Sequence, residues 1–144
     1  MKRILFVCEG NVNRSPMAEG IFNVMVKNHK LAGFQAFSRG VRIQPGAVID
    51  PYALEVLQEC AAENTVSAQA APLRTEDIES AYQVYCMTGA LCQELRQKYP
   101  QYADKIHAVA AQDIINPENQ MVGIYRKCRG ELVDALYDII LSLQ

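Results

Sequence analysis

Cys8-Glu9-Gly10-Asn11-Val12-Asn13-Arg14-Ser15, directly after the apolar run Arg3-Ile4-Leu5-Phe6-Val7, is the stretch from which the rest of the chain can be read. A strand ending in a thiol, followed by a short polar loop and an arginine, can close into a cradle for one tetrahedral dianion. The loop's backbone N–H groups can turn inward as an anion nest, and Ser15-Pro16 is expected to open the next helix as cap and first-turn proline. The nest, the helix N-terminus and Arg14 would all favour the thiolate of Cys8, a nucleophile able to attack phosphorus. Arg14 would hold two phosphoryl oxygens through its planar fork. Gly10 is expected to supply unusual backbone angles, Asn11 to brace the loop, and Ser15 to donate to the thiolate. The anion cradle is thus Glu9, Gly10, Asn11, Val12, Asn13, Arg14 and Ser15, with Cys8, Arg14 and Ser15 catalytic.

A cysteine that ends an apolar strand is ordinarily a small buried hydrophobe. Here it stands with an arginine, a serine and an asparagine inside one strand–loop–helix junction. That junction resembles the low-molecular-weight protein tyrosine phosphatases, whose N-terminal loop reads Cys-x-Gly-Asn-x-Cys-Arg-Ser-Pro. Met17-Ala18-Glu19, Ser38-Arg39-Gly40, Asp50-Pro51 and Ala53-Leu54-Glu55-Val56-Leu57 follow in the family's order and spacing. The resemblance implies one domain over residues 1–144, cysteinyl-phosphate catalysis, and no metal or other cofactor.

Composition is compatible with that implication. A chain of 144 residues, 50% hydrophobic, has material for one sizeable core. A formal net charge of −2 argues against binding nucleic acid through bulk charge. Five cysteines without a Cys-x-x-Cys pair point to a reducing compartment rather than a disulfide scaffold or zinc module. The N-terminal apolar run stops too early, at Glu9, to be a signal peptide, and no other run approaches membrane-spanning length. The expectation is a cytoplasmic protein acting on a phosphorylated protein or small phosphomonoester, without a nucleic-acid or membrane partner.

Strand-like runs at Arg3–Cys8, Phe34–Ser38, Tyr82–Met87 and Ile106–Ala110 alternate with helical segments at Pro16 to about Lys30, from Pro51, Gly89–Tyr99 and about Gln120–Leu143. Asp50 and Thr75 read as helix caps, and Asn64–Pro72, rich in Ala, Ser and Gln, reads as a flexible loop. The fold class is therefore α/β, a doubly wound four-stranded parallel sheet with helices on both faces. Ligands in such sheets bind at the carboxyl ends of strands, where Cys8 falls.

The family resemblance also implies a late Asp-Pro-Tyr segment whose aspartic acid protonates the leaving oxygen. Asn116-Pro117-Glu118 stands there instead, and asparagine cannot donate as an acid. Asp113 and Glu118 are the candidate substitutes, while Asp50-Pro51-Tyr52 is explained by helix capping. Asn13 replaces the family's second loop cysteine, and Val41-Arg42-Ile43-Gln44 and Glu118-Asn119-Gln120 lack the aromatic residues that flank phosphotyrosine. Val12 occupies a position where tyrosine phosphatases have a bulky aliphatic residue and the family's protein-arginine phosphatases a threonine. Two alternatives stay open: a weak or inactive phosphate-binding module, and a thiol-dependent arsenate reductase using Cys86 and Cys92 as relay thiols. His29 and His107 have no metal-ligand spacing.

Overall fold

Apolar, β-branched and aromatic side chains carry the four strands, which form one all-parallel sheet in the order β2-β1-β3-β4. The strands are β1 Lys2–Cys8, β2 Phe34–Gly40, β3 Gln83–Cys86 and β4 Ile106–Ala108. A computed structural model describes all residues, 1–144. Five α-helices, α1 Arg14–Asn28, α2 Pro51–Gln58, α3 Thr75–Ser80, α4 Gly89–Lys98 and α5 Val122–Leu143, cover the sheet, and a short 3-10 helix, Pro100–Lys105, leads into β4.

Alternation along β1 sorts the core into two layers, since successive side chains leave a strand on opposite faces. Ile4, Phe6 and Cys8 pack with buried residues of α1, α2 and α5, among them Met17, Leu57 and Leu132. Leu5 and Val7 pack with Phe37, Ile78, Cys86, Leu91, Cys92 and Leu95, under α3 and α4. The α/β doubly wound expectation holds, with helices on both faces. The strand order reverses between β1 and β3, and Cys8 ends β1 at that crevice.

Some boundaries differ from the sequence reading, each for a local reason. Helix α1 starts at Arg14, because the Asn13 side chain, not Ser15, accepts the first free N–H, from Arg14 at 2.6 Å. Ser15 and Pro16 therefore lie inside the first turn. Thr75 is the first residue of α3 rather than its cap; the Asp77 carboxylate reaches back to the Arg74 N–H at 2.9 Å. Asp50 does cap α2, accepting from Tyr52 N–H at 3.0 Å with Pro51 at the first position.

Segment Asn64–Pro72 is pinned instead of free. Its backbone pairs with two other segments: Ala68 and Ala70 bond Ile49 and Ala47, and the Ala71 carbonyl accepts from Gly40 at 2.9 Å. The segment thus pairs with the last residue of β2 at Gly40 and with the chain at 47–49, while the Asn23 side chain of α1 meets the edge groups of Ala36.

Candidate active site

The loop after β1 continues the parallel pairing with the chain after β2. The Cys8 carbonyl accepts from Val41 N–H at 3.1 Å, and Glu9 carbonyl from Arg42 N–H at 2.8 Å. Asn11 then turns the chain in the left-handed region, with φ of 55°, a conformation that asparagine tolerates through its short polar side chain. The turn falls on Asn11, one residue beyond the expected Gly10.

Gly40 makes room for that turn. A Cβ there would stand 2.9 Å from the Asn11 nitrogen and 2.6 Å from Ile43 Cδ1, so the strand and loop backbones meet at a distance only glycine permits.

Two polar groups close on the thiol. Asn11 N–H points at Cys8 Sγ at 3.3 Å, and Ser15 Oγ lies 2.9 Å from the same sulfur. The Asn11 amide donates to Ser15 Oγ at 2.8 Å and to Ser38 Oγ at 3.0 Å. Ser15 Oγ accepts there and has one proton to give, with the sulfur at 2.9 Å and the Arg39 carbonyl at 3.5 Å as its acceptors, the sulfur being the nearer. Asn11 Oδ1 in turn accepts Ala71 N–H at 2.8 Å. Ser38 Oγ donates to Glu19 Oε1 at 2.7 Å, so a continuous buried network runs from the Cys8 thiol to a carboxylate on α1. Burial lifts Glu19 to about 7, while the Ser38 bond and the Arg39 charge pull the other way.

Arg14, only 6% exposed, sends Nη1 to the Ile114 carbonyl at 3.3 Å, and its buried Nε has no partner within the protein. An unpaired buried guanidinium N–H is costly, by about 1–3 kcal/mol or more, and an oxyanion in the loop satisfies it.

A cavity of about 310 Å³ opens over the loop, lined by Cys8, Glu9, Gly10, Val12, Asn13, Arg14, Arg42, Gln44, Ala47, Asn116 and Glu118. The sequence-derived site residues thus converge, with three exceptions. Asn11 and Ser15 lie beneath the floor as braces. Asp113 is turned away: it accepts Gly89 N–H at 2.8 Å at the start of α4 and lines a different cavity. Asp50 is also absent from the cavity; its backbone N–H holds the Val12 carbonyl at 2.8 Å and its carboxylate accepts from Tyr52 N–H and the Tyr125 hydroxyl. Asn116 does line it, its Oδ1 accepting the Glu118 N–H at 3.1 Å.

Sequence reasoning missed Arg42. Its guanidinium grips Glu9 at 2.6 and 2.7 Å and Glu94 at 3.0 Å twice, partners 33 and 52 residues away whose meeting no local pattern encodes. It also missed the burial of Glu19, which Met17-Ala18-Glu19 spelled out without signalling.

Cys86 and Cys92 pack in the layer opposite that of Cys8, and burial pushes the Cys86 thiol well above its ordinary range. The relay that arsenate reduction requires has no support in this arrangement.

Residues 3–143 match the low molecular weight phosphotyrosine protein phosphatase family. The chain belongs to that family. Among its relatives, a protein-arginine-phosphatase of Bacillus subtilis is 32% identical over 98% of this chain and 96% of its own length. A low molecular weight protein tyrosine phosphatase from T. tengcongensis superposes with a TM-score of 0.87 at 34% identity, covering 99% of both chains. An arginine phosphatase in which a serine replaces the cysteine and carries the phosphoryl group superposes with a TM-score of 0.85 at 29% identity, over 98% of this chain and 95% of that one. As a low molecular weight phosphatase, the protein is a cysteine-dependent hydrolase of phosphorylated groups. No helix is long and apolar enough to cross a membrane.

Proposed function

We propose that the protein dephosphorylates phosphotyrosine side chains or comparable aryl phosphates, with Cys8 as nucleophile, Arg14 as oxyanion clamp, Ser15 as donor to the sulfur and Glu118 as proton donor. The observation that supports this most is the buried Arg14 fork, with an unpaired Nε, beside a thiol that two donors face. Cys8 Sγ attacks phosphorus as the P–O bond to the phenol breaks, and the departing oxygen takes a proton from the Glu118 carboxyl. Water then attacks the cysteinyl phosphate, its proton passes to the Glu118 carboxylate, and inorganic phosphate leaves with the thiolate restored.

Glu118 is chosen by elimination within the cavity. Two carboxylates line it, and Glu9 is held by both oxygens to Arg42, whereas Glu118 makes no ion pair. Glu118→Gln is expected to lower kcat about a hundred- to ten-thousand-fold on poor leaving groups and far less on activated aryl phosphates. Equal kcat in Glu118→Gln and the unaltered protein, on poor leaving groups, would remove Glu118 from the mechanism. Absence of any turnover above a Cys8→Ser blank would leave the phosphate-binding module.

Phosphoarginine is the second reading. No aromatic residue lines the cavity, its mouth carries Glu9 and Glu118, and the relatives aligned over nearly the whole chain include protein-arginine phosphatases. Val12, which lines the cavity where the arginine enzymes' threonine is expected, weighs on the tyrosine side. Comparing kcat/KM for phosphotyrosine and phosphoarginine peptides, with and without Val12→Thr, separates the two.

A further inference from the structure

Two arginines line the cavity, and hydrogen bonding gives them different work. Arg42 Nε and Nη2 donate to the two oxygens of Glu9 at 2.6 and 2.7 Å, while Nη1 and Nη2 donate to those of Glu94 at 3.0 Å each. A guanidinium has five N–H groups, all in its plane. Four of them are occupied here, so Arg42 has little left with which to meet a phosphate oxygen edge-on. What stays free is the flat face. The side chain is 56% exposed, and its backbone N–H is fixed to the Glu9 carbonyl at 2.8 Å, so both the root and the tip of the side chain are held.

We propose that Arg42 is a specificity-determining residue, a planar platform on which the aromatic ring of the substrate stacks while the phosphate sits over Cys8. The proposal rests on the aryl phosphatase reading above. A ring needs a wall; no aromatic residue lines the cavity, and of its two guanidinium planes the buried Arg14 is the one reserved for the dianion. Guanidinium faces stack on aromatic rings through cation–π attraction and plane-to-plane contact. Glu9 and Glu94 fix the plane and offset the charge of Arg42, which leaves Arg14 to bind the dianion. Lysine keeps a charge that can sit over a ring but, its tetrahedral ammonium having no face, loses the plane-to-plane contact; phenylalanine supplies a face again.

The test compares two non-hydrolysable ligands, benzylphosphonate and methylphosphonate, as competitive inhibitors or by calorimetry. Benzylphosphonate is expected to bind more tightly. Arg42→Lys should weaken it by up to about two- to fivefold, the range of an exposed cation–π contact, part of which the lysine charge retains, and leave methylphosphonate unchanged. Arg42→Phe should restore the preference. Methylphosphonate reports whether the loop itself is intact in each variant. An unchanged benzyl-to-methyl ratio in Arg42→Lys, or its loss in Arg42→Phe, overturns the platform. If phosphotyrosine is not hydrolysed yet Arg42→Lys still abolishes the benzyl preference, the platform stands and the activity reading fails. Turnover of phosphotyrosine with equal affinity for both phosphonates overturns the platform alone.

Discussion

Glu19→Gln isolates the cost of keeping a carboxylate under the loop. Glu19 is 8% exposed and rises from 4.5 to about 7, chiefly through burial. At 1.36 kcal/mol per pH unit, that rise from 4.5 corresponds to on the order of 3 kcal/mol. The folded state binds the Glu19 proton more tightly than the unfolded chain does. The associated stability is therefore fully present below about 4.5, is lost as pH rises through about 7, and does not change further above it. Glutamine cannot ionise, and its Oε1 can still accept from Ser38. Its new amide donor carries its own penalty of about 1–3 kcal/mol if unpaired, which offsets the absolute stability but does not depend on pH. Urea unfolding of both proteins between pH 4.5 and 8 should show the difference shifting toward Glu19→Gln by up to about 3 kcal/mol. Groups that titrate alike in both proteins cancel from that difference. Parallel profiles would refute the reasoning, and Glu19 would then be solvated or better compensated than its burial indicates.

Gly40→Ala should lower kcat and melting temperature together, because its Cβ would strike the Asn11 backbone 2.9 Å away; activity and thermal unfolding on one preparation would check it. In the Glu118→Gln background, Asn116→Asp should restore turnover of poor leaving groups more than of good ones, seen as a flatter dependence of kcat on leaving-group pKa. Peroxide should inactivate the enzyme with little recovery in dithiothreitol, since Asn13 supplies no loop thiol, Cys86 and Cys92 pack in the other layer, and Cys128, in the layer of Cys8, is buried with its thiol pushed up to about 12 and so holds little thiolate. Mass spectrometry should find sulfinic acid at Cys8, and a crosslink from Cys8 to Cys86, Cys92 or Cys128 would contradict this.

Much of the fold was legible because its signals are local. The apolar runs of β1 and β2, the Asp50-Pro51 start of α2 and the Leu132-Leu136-Ile139-Ile140 stripe of α5 each carry their own periodicity or cap. The cradle was legible for the same reason, since Cys8, Asn11, Arg14 and Ser15 lie in one turn of chain. The rest depends on what tertiary packing brings together. Glu19 sits on a helix whose first half is buried throughout, and nothing in the local sequence marks a carboxylate there as buried. Asp113 and Glu118 differ by five positions, and only the Gly89 N–H that claims the former separates them. The Asn64–Pro72 segment reads as unstructured because its order comes from another strand's edge rather than from its own side chains.

The single amide of Asn11 joins the loop to α1 through Ser15, to β2 through Ser38 and to the Ala71 backbone, contacts spanning 4, 27 and 60 residues of sequence. During refolding these closures accumulate at different moments, and the longest loop forms against the greatest chain entropy. Activity should accordingly lag behind secondary structure and return only when the chain through Ala71 has docked. In the native state the same bonds tie the Cys8 loop to Ser38 of β2 and to Ala71, so local opening there should silence the enzyme while most of its core is still folded.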